Sequence, residues 1–534
     1  MTINDFLDRA VAVYPDRPAI IDEPNQVAPP RPTLTYADLA DVRRQMGVAM
    51  DKMGIPFGAR VAMVSHNAGR LLESFYGIAG NGRVFVPVNF RLSRPEVEYI
   101  VEHSGAVGLF IDPELADDLA GIECERTWIL GEESDAAWLG HDGDPEPWEP
   151  DEDATASINY TSGTTARPKG VEQTHRARWT NAVTFGWHVG VSDRDVYLHT
   201  LPMFHCDGWG MLYTVSAMGV PHVVLRKVDG GEILRRVEKH GVTLMCGAPA
   251  VATAVLDAAK DWDGPIPGSG RVRIVVAGAP PPTAIIERVE TELGWEFIQL
   301  YGLTETAPYL TMNRCRPEWD DLSPTERAQN LNRAGQPALG VDIKISESGE
   351  ILARGNVILE SYWEQPAETA AALEGGWFHT GDIVRADDDG YYYFIDRRKN
   401  VIRRSGENIA AVEVEAVLMQ HPGIAACGVA PVPDEIRGDE VLACVVVSDD
   451  AKAGSEAEQQ AFAKEVMSFC LDRLAYYKAP GYLAFVDKLP LTATQKVQRG
   501  ELKKTAAACA KQALGHSGPA HGSIDLRELK KRNG

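Results

Sequence analysis

The run Tyr160-Thr161-Ser162-Gly163-Thr164-Thr165-Ala166-Arg167-Pro168-Lys169-Gly170 gathers hydroxyls, glycines and an ammonium group into one short stretch. Open backbone N–H groups, hydroxyl donors and a flexible cation are what a polyphosphate needs around it. The register is not that of a Walker A loop, in which Ser or Thr follows the lysine; here Gly170 follows Lys169. Taken alone, a Gly/Ser/Thr loop is more often a plain turn.

Such a loop needs a scaffold, and 534 residues suffice for three or four core-sized units. Hydrophobic content of 44% and charged content of 24% are those of an ordinary globular protein. No apolar run reaches the ~20 residues of a membrane-spanning helix, and Met1-Thr2-Ile3-Asn4-Asp5 lacks a signal pattern. The 8 cysteines form no CxxC pair or zinc spacing, which reads as reduced thiols in a cytoplasmic protein. A net charge of −23 argues against a general nucleic-acid or anionic-membrane surface, so anionic ligands require a locally positive pocket.

Short apolar runs at 59–64, 84–88, 223–225, 244–246 and 272–276 alternate with helical patterns such as 36–53. That rhythm predicts an α/β fold with parallel sheets covered by helices. Between Gly340 and Ile395 the helices thin out, predicting a small β-rich subdomain. Beyond Asp396-Arg397-Arg398-Lys399-Asn400 a new α+β pattern begins, with a helix near 412–420 and strands at 427–430 and 441–447.

The loop at 160–170 resembles the phosphate loop of the adenylate-forming (AMP-binding) superfamily, which includes acyl-CoA synthetases, stand-alone adenylation domains and beetle luciferases. Further segments resemble its other motifs in order: Leu34-Thr35-Tyr36-Ala37-Asp38-Leu39, Gly82 to Asn89, Leu201-Pro202-Met203-Phe204-His205 and Ala277-Gly278-Ala279-Pro280. Tyr301-Gly302-Leu303-Thr304-Glu305-Thr306, Gly349 to Gly355, Trp377 to Asp382, Ile395 to Lys399 and Pro490 to Lys496 complete the series. The resemblance therefore spans nearly the whole chain. It implies an N-terminal AMP-binding domain at 1–396, a hinge at 397–399 and a mobile C-terminal domain at 400–515. Residues 516–534 read as a flexible tail.

The resemblance also implies roles. A carboxylate attacks the α-phosphorus of ATP and expels pyrophosphate, so fixed donors and cations are the main requirement. Thr161, Ser162, Gly163, Thr164, Thr165 and Lys169 would hold the β- and γ-phosphates, Thr304 the α-phosphate, and Glu305 an Mg²⁺ ion. Gly278, Ala279 and Pro280 would let adenine lie against backbone, and Tyr301 would stack on it. Asp382 and Arg397 would hold the ribose. Lys496 would bridge the acyl carboxylate and α-phosphate. For the thioester step, in which coenzyme A attacks the acyl carbonyl, Lys399 would be the hinge about which the C-terminal domain turns. Gly406, within Arg403-Arg404-Ser405-Gly406-Glu407-Asn408, would line the thiol channel.

His205 stands where amino-acid-activating relatives carry an aspartate, which speaks against an α-amino acid. His205 and Trp209 are expected to shape the acyl pocket, with Met211 and Trp187 as weaker candidates. The segment 404–409 resembles the carnitine/crotonobetaine-CoA ligases, and the chain as a whole the ligases of fatty and modified acids. Ala166, Gln495 and Ser361 replace family glycines. The expectation is an ATP- and Mg²⁺-dependent acyl-CoA synthetase. Open alternatives are an enzyme that thioesterifies a preformed acyl-adenylate, an acyl-AMP ligase that loads a carrier protein, and, more remotely, a non-catalytic nucleotide-binding protein. A homodimer is left open.

Overall fold

Alternation along the strands decides the layering. In a computed structural model of the chain, Val61 and Met63 enter one apolar cluster while Ala62 and Val64 enter another. Phe85 and Val86, and Phe110 and Leu109, divide in the same way. Successive strand residues point to opposite faces, so a sheet buried on both sides reads as an unbroken apolar run. The described residues are 1–161, 168–397, 401–404, 407–434, 438–448, 451, 455–491, 497–513 and 523–525.

These strands belong to a seven-stranded sheet in the order 361–362, 169–174, 155–161, 84–88, 60–64, 106–111, 126–129. Its centre is parallel, and the strands Lys169–Thr174 and Ser361–Tyr362 are antiparallel additions at one edge. A nine-stranded sheet runs 336–337, 309–313, 296–302, 273–276, 244–247, 197–199, 222–224, 18–21, 34–35. It too is parallel in the middle and antiparallel at both ends. Leu198, Met245 and Ile274 face one core; Tyr197, Leu244, Cys246 and Val275 face the other.

The expected helix near 36–53 is Tyr36–Lys52, opened by a capping box between Thr35 and Asp38. A four-stranded sheet contains Val341–Ile345, Glu350–Gly355, Phe378–Ala386 and Tyr392–Arg397.

The chain divides into two compact units, one of Met1–Lys344, Leu352–Thr380 and Ala386–Tyr393, the other of Ile345–Ile351, Gly381–Arg385 and Phe394–Gly534. In the second unit Gly438–Val447 is the central strand. It pairs antiparallel with Ile424–Asp434 and parallel with Tyr482–Phe485. Within the stretch read as a tail, Ser523–Asp525 forms a strand antiparallel to Tyr482–Phe485, with Ile524 against the core. Among the described residues no helix is long and apolar enough to cross a membrane.

Candidate active site

Thr161 closes the strand Thr155–Thr161 and Lys169 opens the next one; the two residues are register partners. The antiparallel pair thus fixes both ends of the phosphate-type loop. Ser162, Gly163, Thr164 and Thr165 lie outside the described residues. Lys169 is half-buried, with its ammonium 4.6 Å from the centre of the Tyr362 ring.

Thr304 and Glu305 begin a single 3₁₀ turn after the strand Glu296–Gly302. Gly302 is obligatory there, because a Cβ would sit 1.6 Å from the Pro308 carbonyl oxygen. The Thr304 carbonyl accepts from the Gln173 amide at 2.9 Å, and its hydroxyl lies 3.1 Å from Cys206 Sγ. Burial pushes the Cys206 thiol up to about 11, although Thr304 opposes the shift. The group stays a neutral thiol, suited to a hydrogen bond rather than to nucleophilic attack. Glu305 is half-buried; its Oε1 accepts from the Tyr362 hydroxyl at 2.9 Å.

Gly278, Ala279 and Pro280 are exposed, just beyond the strand Arg273–Val276. Gly278 has φ +88°, a backbone that glycine adopts without cost. Tyr301 is half-buried near the end of the adjacent parallel strand. The two groups therefore sit at or just beyond the carboxyl ends of neighbouring strands, where open α/β sheets bind ligands.

The backbone of the segment His205–Gly210 takes a course that its sequence does not announce. Cys206, Asp207, Gly208, Trp209 and Gly210 all have φ between +45° and +77°, a left-handed turn. Non-glycine residues in this region cost roughly 1–2 kcal/mol each, so the surroundings must hold the turn. The helix His175–Val189 supplies the holders. Arg178 pairs with Asp207 at 2.9 Å, both side chains having 0% exposure. Ser157 donates to the same carboxylate at 2.5 Å, and Asn181 Nδ2 donates to the Trp209 carbonyl at 3.0 Å. Burial raises the Asp207 carboxyl, with Arg178 and the Ser157 hydroxyl opposing. The turn leaves His205 half-buried and sinks Trp209 into the core with Met211. Trp187, one of the weaker pocket candidates, is 76% exposed. No local signal in the sequence marks Arg178 or Asp207, since each reads as an ordinary surface charge.

In the second unit Asp382 is buried and pairs with Arg397 at 3.0 Å. Gly381, within the strand Phe378–Ala386 and next to Asp382, has φ +72°, and its N–H donates to Glu350 at 2.9 Å. Arg404, part of the segment expected to line a thiol channel, is instead committed to the buried Glu440 at 2.9 Å. Lys399, Gly406 and Lys496 lie outside the described residues.

Residues 7–363 match the model of the AMP-binding enzyme family, and residues 413–496 that of the AMP-binding enzyme C-terminal domain. A 4-hydroxybutyrate–CoA ligase of Metallosphaera sedula is 32% identical over 535 residues, covering 94% of each chain. The peroxisomal acetate/butyrate–CoA ligase of Arabidopsis thaliana is also 32% identical, again over 94% of each. The o-succinylbenzoate CoA synthetase of Bacillus subtilis, solved with its acyl-adenylate intermediate, superposes with a TM-score of 0.81 at 28% identity. That match covers 93% of this chain and 98% of the other. The same synthetase has been solved with ATP and magnesium ion, TM-score 0.79, 28% identity, covering 93% and 99%. The chain belongs to the AMP-binding enzyme family and is an ATP/AMP-binding, AMP-forming acid–CoA ligase.

Proposed function

We propose that the enzyme joins a carboxylic acid to coenzyme A in two steps on one chain, with the residues above in the roles their chemistry suits. A carboxylate oxygen of the acid attacks the α-phosphorus of ATP, and the bond to pyrophosphate breaks. The coenzyme A thiol then attacks the acyl carbonyl and AMP leaves. The observation that carries this reading is the grouping of a cation, Lys169, and a carboxylate, Glu305, on one aromatic ring. Thr304 is in the same turn as Glu305, so one short segment supplies donors to the α-phosphate and a metal ligand.

Mg²⁺ fits this donor set. Among the described residues no three His, Cys, Asp or Glu side chains cluster as a cage. One carboxylate together with substrate phosphates is the way Mg²⁺ usually binds. Glu305 would hold the ion, which neutralises charge on the phosphates when bound. Lys169 takes the β- and γ-phosphates with Thr161 and the loop 162–165, and Asp382 and Arg397 take the ribose hydroxyls. Lys496 bridges the acid and the α-phosphate from a C-terminal domain that begins at about residue 400. Lys399 serves as hinge, and Gly406 lines the thiol channel.

Relatives named for 4-hydroxybutyrate and acetate or butyrate support short acids as the first to test. The test is acid-dependent pyrophosphate–ATP exchange without coenzyme A, over short, branched, aryl and long-chain acids. Exchange with one class identifies the acid, and Lys496→Ala should lower it at least ~10²–10³-fold. Silence across the panel, followed by thioester formation from a synthetic acyl-adenylate and coenzyme A, would replace this reading with a thioesterifying enzyme alone.

A further inference from the structure

We infer that Tyr362 is a positioning residue that keeps the phosphate-site cation and the metal-site carboxylate from neutralising each other. The inference rests on the functional reading above and adds a role to a residue outside the expected site. Lys169 and Glu305 both reach the same aromatic side chain, but on different parts of it. The ammonium lies over the ring, 4.6 Å from its centre. The carboxylate accepts from the hydroxyl at the ring's far end, at 2.9 Å. A tyrosine suits both partners, because its face is electron-rich and its O–H is a donor. Without such a spacer, a half-buried Lys and Glu aimed at one space would form an ion pair. Each would then have to be pulled from the other before a phosphate or a metal bound.

The ring is held firmly enough to act this way. Tyr362 is 8% exposed and packs with Val171, Leu359 and Phe378. Its backbone pairs with Val171, two residues beyond Lys169, and its N–H donates to the Thr369 hydroxyl at 2.9 Å. Trp363 N–H donates to the Gly170 carbonyl at 2.8 Å, and Leu359 N–H to the Glu305 carbonyl at 2.8 Å. The segment 359–363 is thus tied both to the strand bearing Lys169 and to the turn bearing Glu305. These ties hold the ring against both side chains.

Binding tests this separately from turnover. ATP affinity would be measured by calorimetry in EDTA, and Mn²⁺ affinity by electron paramagnetic resonance with a non-hydrolysable ATP analogue present. Tyr362→Leu should weaken metal-free ATP binding ~10-fold. Adding Glu305→Gln to it should restore most of that loss, and the gain should exceed that from Glu305→Gln alone. Tyr362→Phe keeps the ring face, so metal-free ATP affinity should stay within ~3-fold while Mn²⁺ affinity drops several-fold. Wild-type ATP affinity in Tyr362→Leu, or no restoration by Glu305→Gln, would overturn the spacer role. Should Tyr362→Leu fail to fold, unchanged Mn²⁺ affinity in Tyr362→Phe would overturn it as well. Lys169→Ala that binds metal-free ATP like the wild type would instead reject the underlying assignment of Lys169.

Discussion

Around His205 the chain is wound left-handed and held by Arg178 and Asp207, two charges with no exposure. Lys169 and Glu305, by contrast, keep part of their surface open and contact an aromatic ring. The two regions therefore use charge differently. Where the proposed ligand would bring its own charges, Lys169 and Glu305 stay partly open and both contact a neutral residue. Where shape is to be fixed, the protein buries an opposite pair, with the Ser157 hydroxyl donating to the carboxylate, and uses it to hold a costly backbone. Buried pairs are hard to dismantle because the survivor of any single change is an uncompensated charge.

The largest effect should come from breaking the buried side. Arg178→Met should lower stability by about 3–5 kcal/mol, seen as a marked drop in melting temperature. Arg178→Met with Asp207→Leu should lose less than either change alone. An unchanged melting temperature for Arg178→Met would erase the contrast.

Lys169→Met should do the reverse. Adenylation should fall ~10²-fold while stability shifts by no more than about 0.5 kcal/mol. Pyrophosphate exchange and thermal unfolding on the same preparation would decide it.

Acid should sharpen the comparison from the buried side again. His199 and His222 lie in adjacent strands of the nine-stranded sheet, fully buried, with ring nitrogens 2.9 Å apart. His199 begins the stretch that leads into the left-handed turn. Burial holds His199 well below the ordinary histidine range, with His222 adding to it, and lowers His222 to about 3. The unfolded chain therefore binds protons that the folded one refuses. This contribution is complete above the unfolded value of ~6.5 and is lost as pH falls toward the folded values. Near pH 5.5, about one unit below the unfolded value, each histidine should cost about 1.4 kcal/mol, so the pair should cost about 3 kcal/mol. A melting temperature that stays flat from pH 7.5 to 5.5 would contradict it.

The smallest effect concerns Ser361, which donates to Glu172 across the strand pair that positions Tyr362. Ser361→Gly, which restores the glycine of the family pattern, should cost about 1 kcal/mol and leave metal-free ATP binding near wild type. A larger loss of binding would mean that the hydroxyl itself helps to place the ring.

Elements fixed by local pattern were legible from residues alone. The strands at 60–64, 84–88 and 244–247 are short apolar runs, and the Tyr36–Lys52 helix carries its capping residues in plain view. The roles proposed for Thr304, Glu305 and Lys169 rest on ordered motifs, since none is unusual in its own neighbourhood. The left-handed turn was hidden because Cys, Asp and Trp have no strong preference for that backbone; contacts from a helix some thirty residues earlier in the chain impose it. Tyr362, the neighbour of Ser361, had no role in the sequence analysis. Its importance comes from strand pairing that brings it next to Lys169, almost two hundred residues away in sequence.

The strand Ser523–Asp525 has a consequence for solution behaviour. Its inner neighbour, Tyr482–Phe485, consists of four buried residues. Without the outer strand, that segment would be an exposed apolar sheet edge, with unpaired backbone donors and acceptors ready to accept a strand from another molecule. The final stretch of chain thus acts as a built-in guard against edge-to-edge aggregation. A truncated form ending at Ala513 would be expected to self-associate at concentrations where the full chain stays dispersed, and fusions at this end should leave the strand room to fold back.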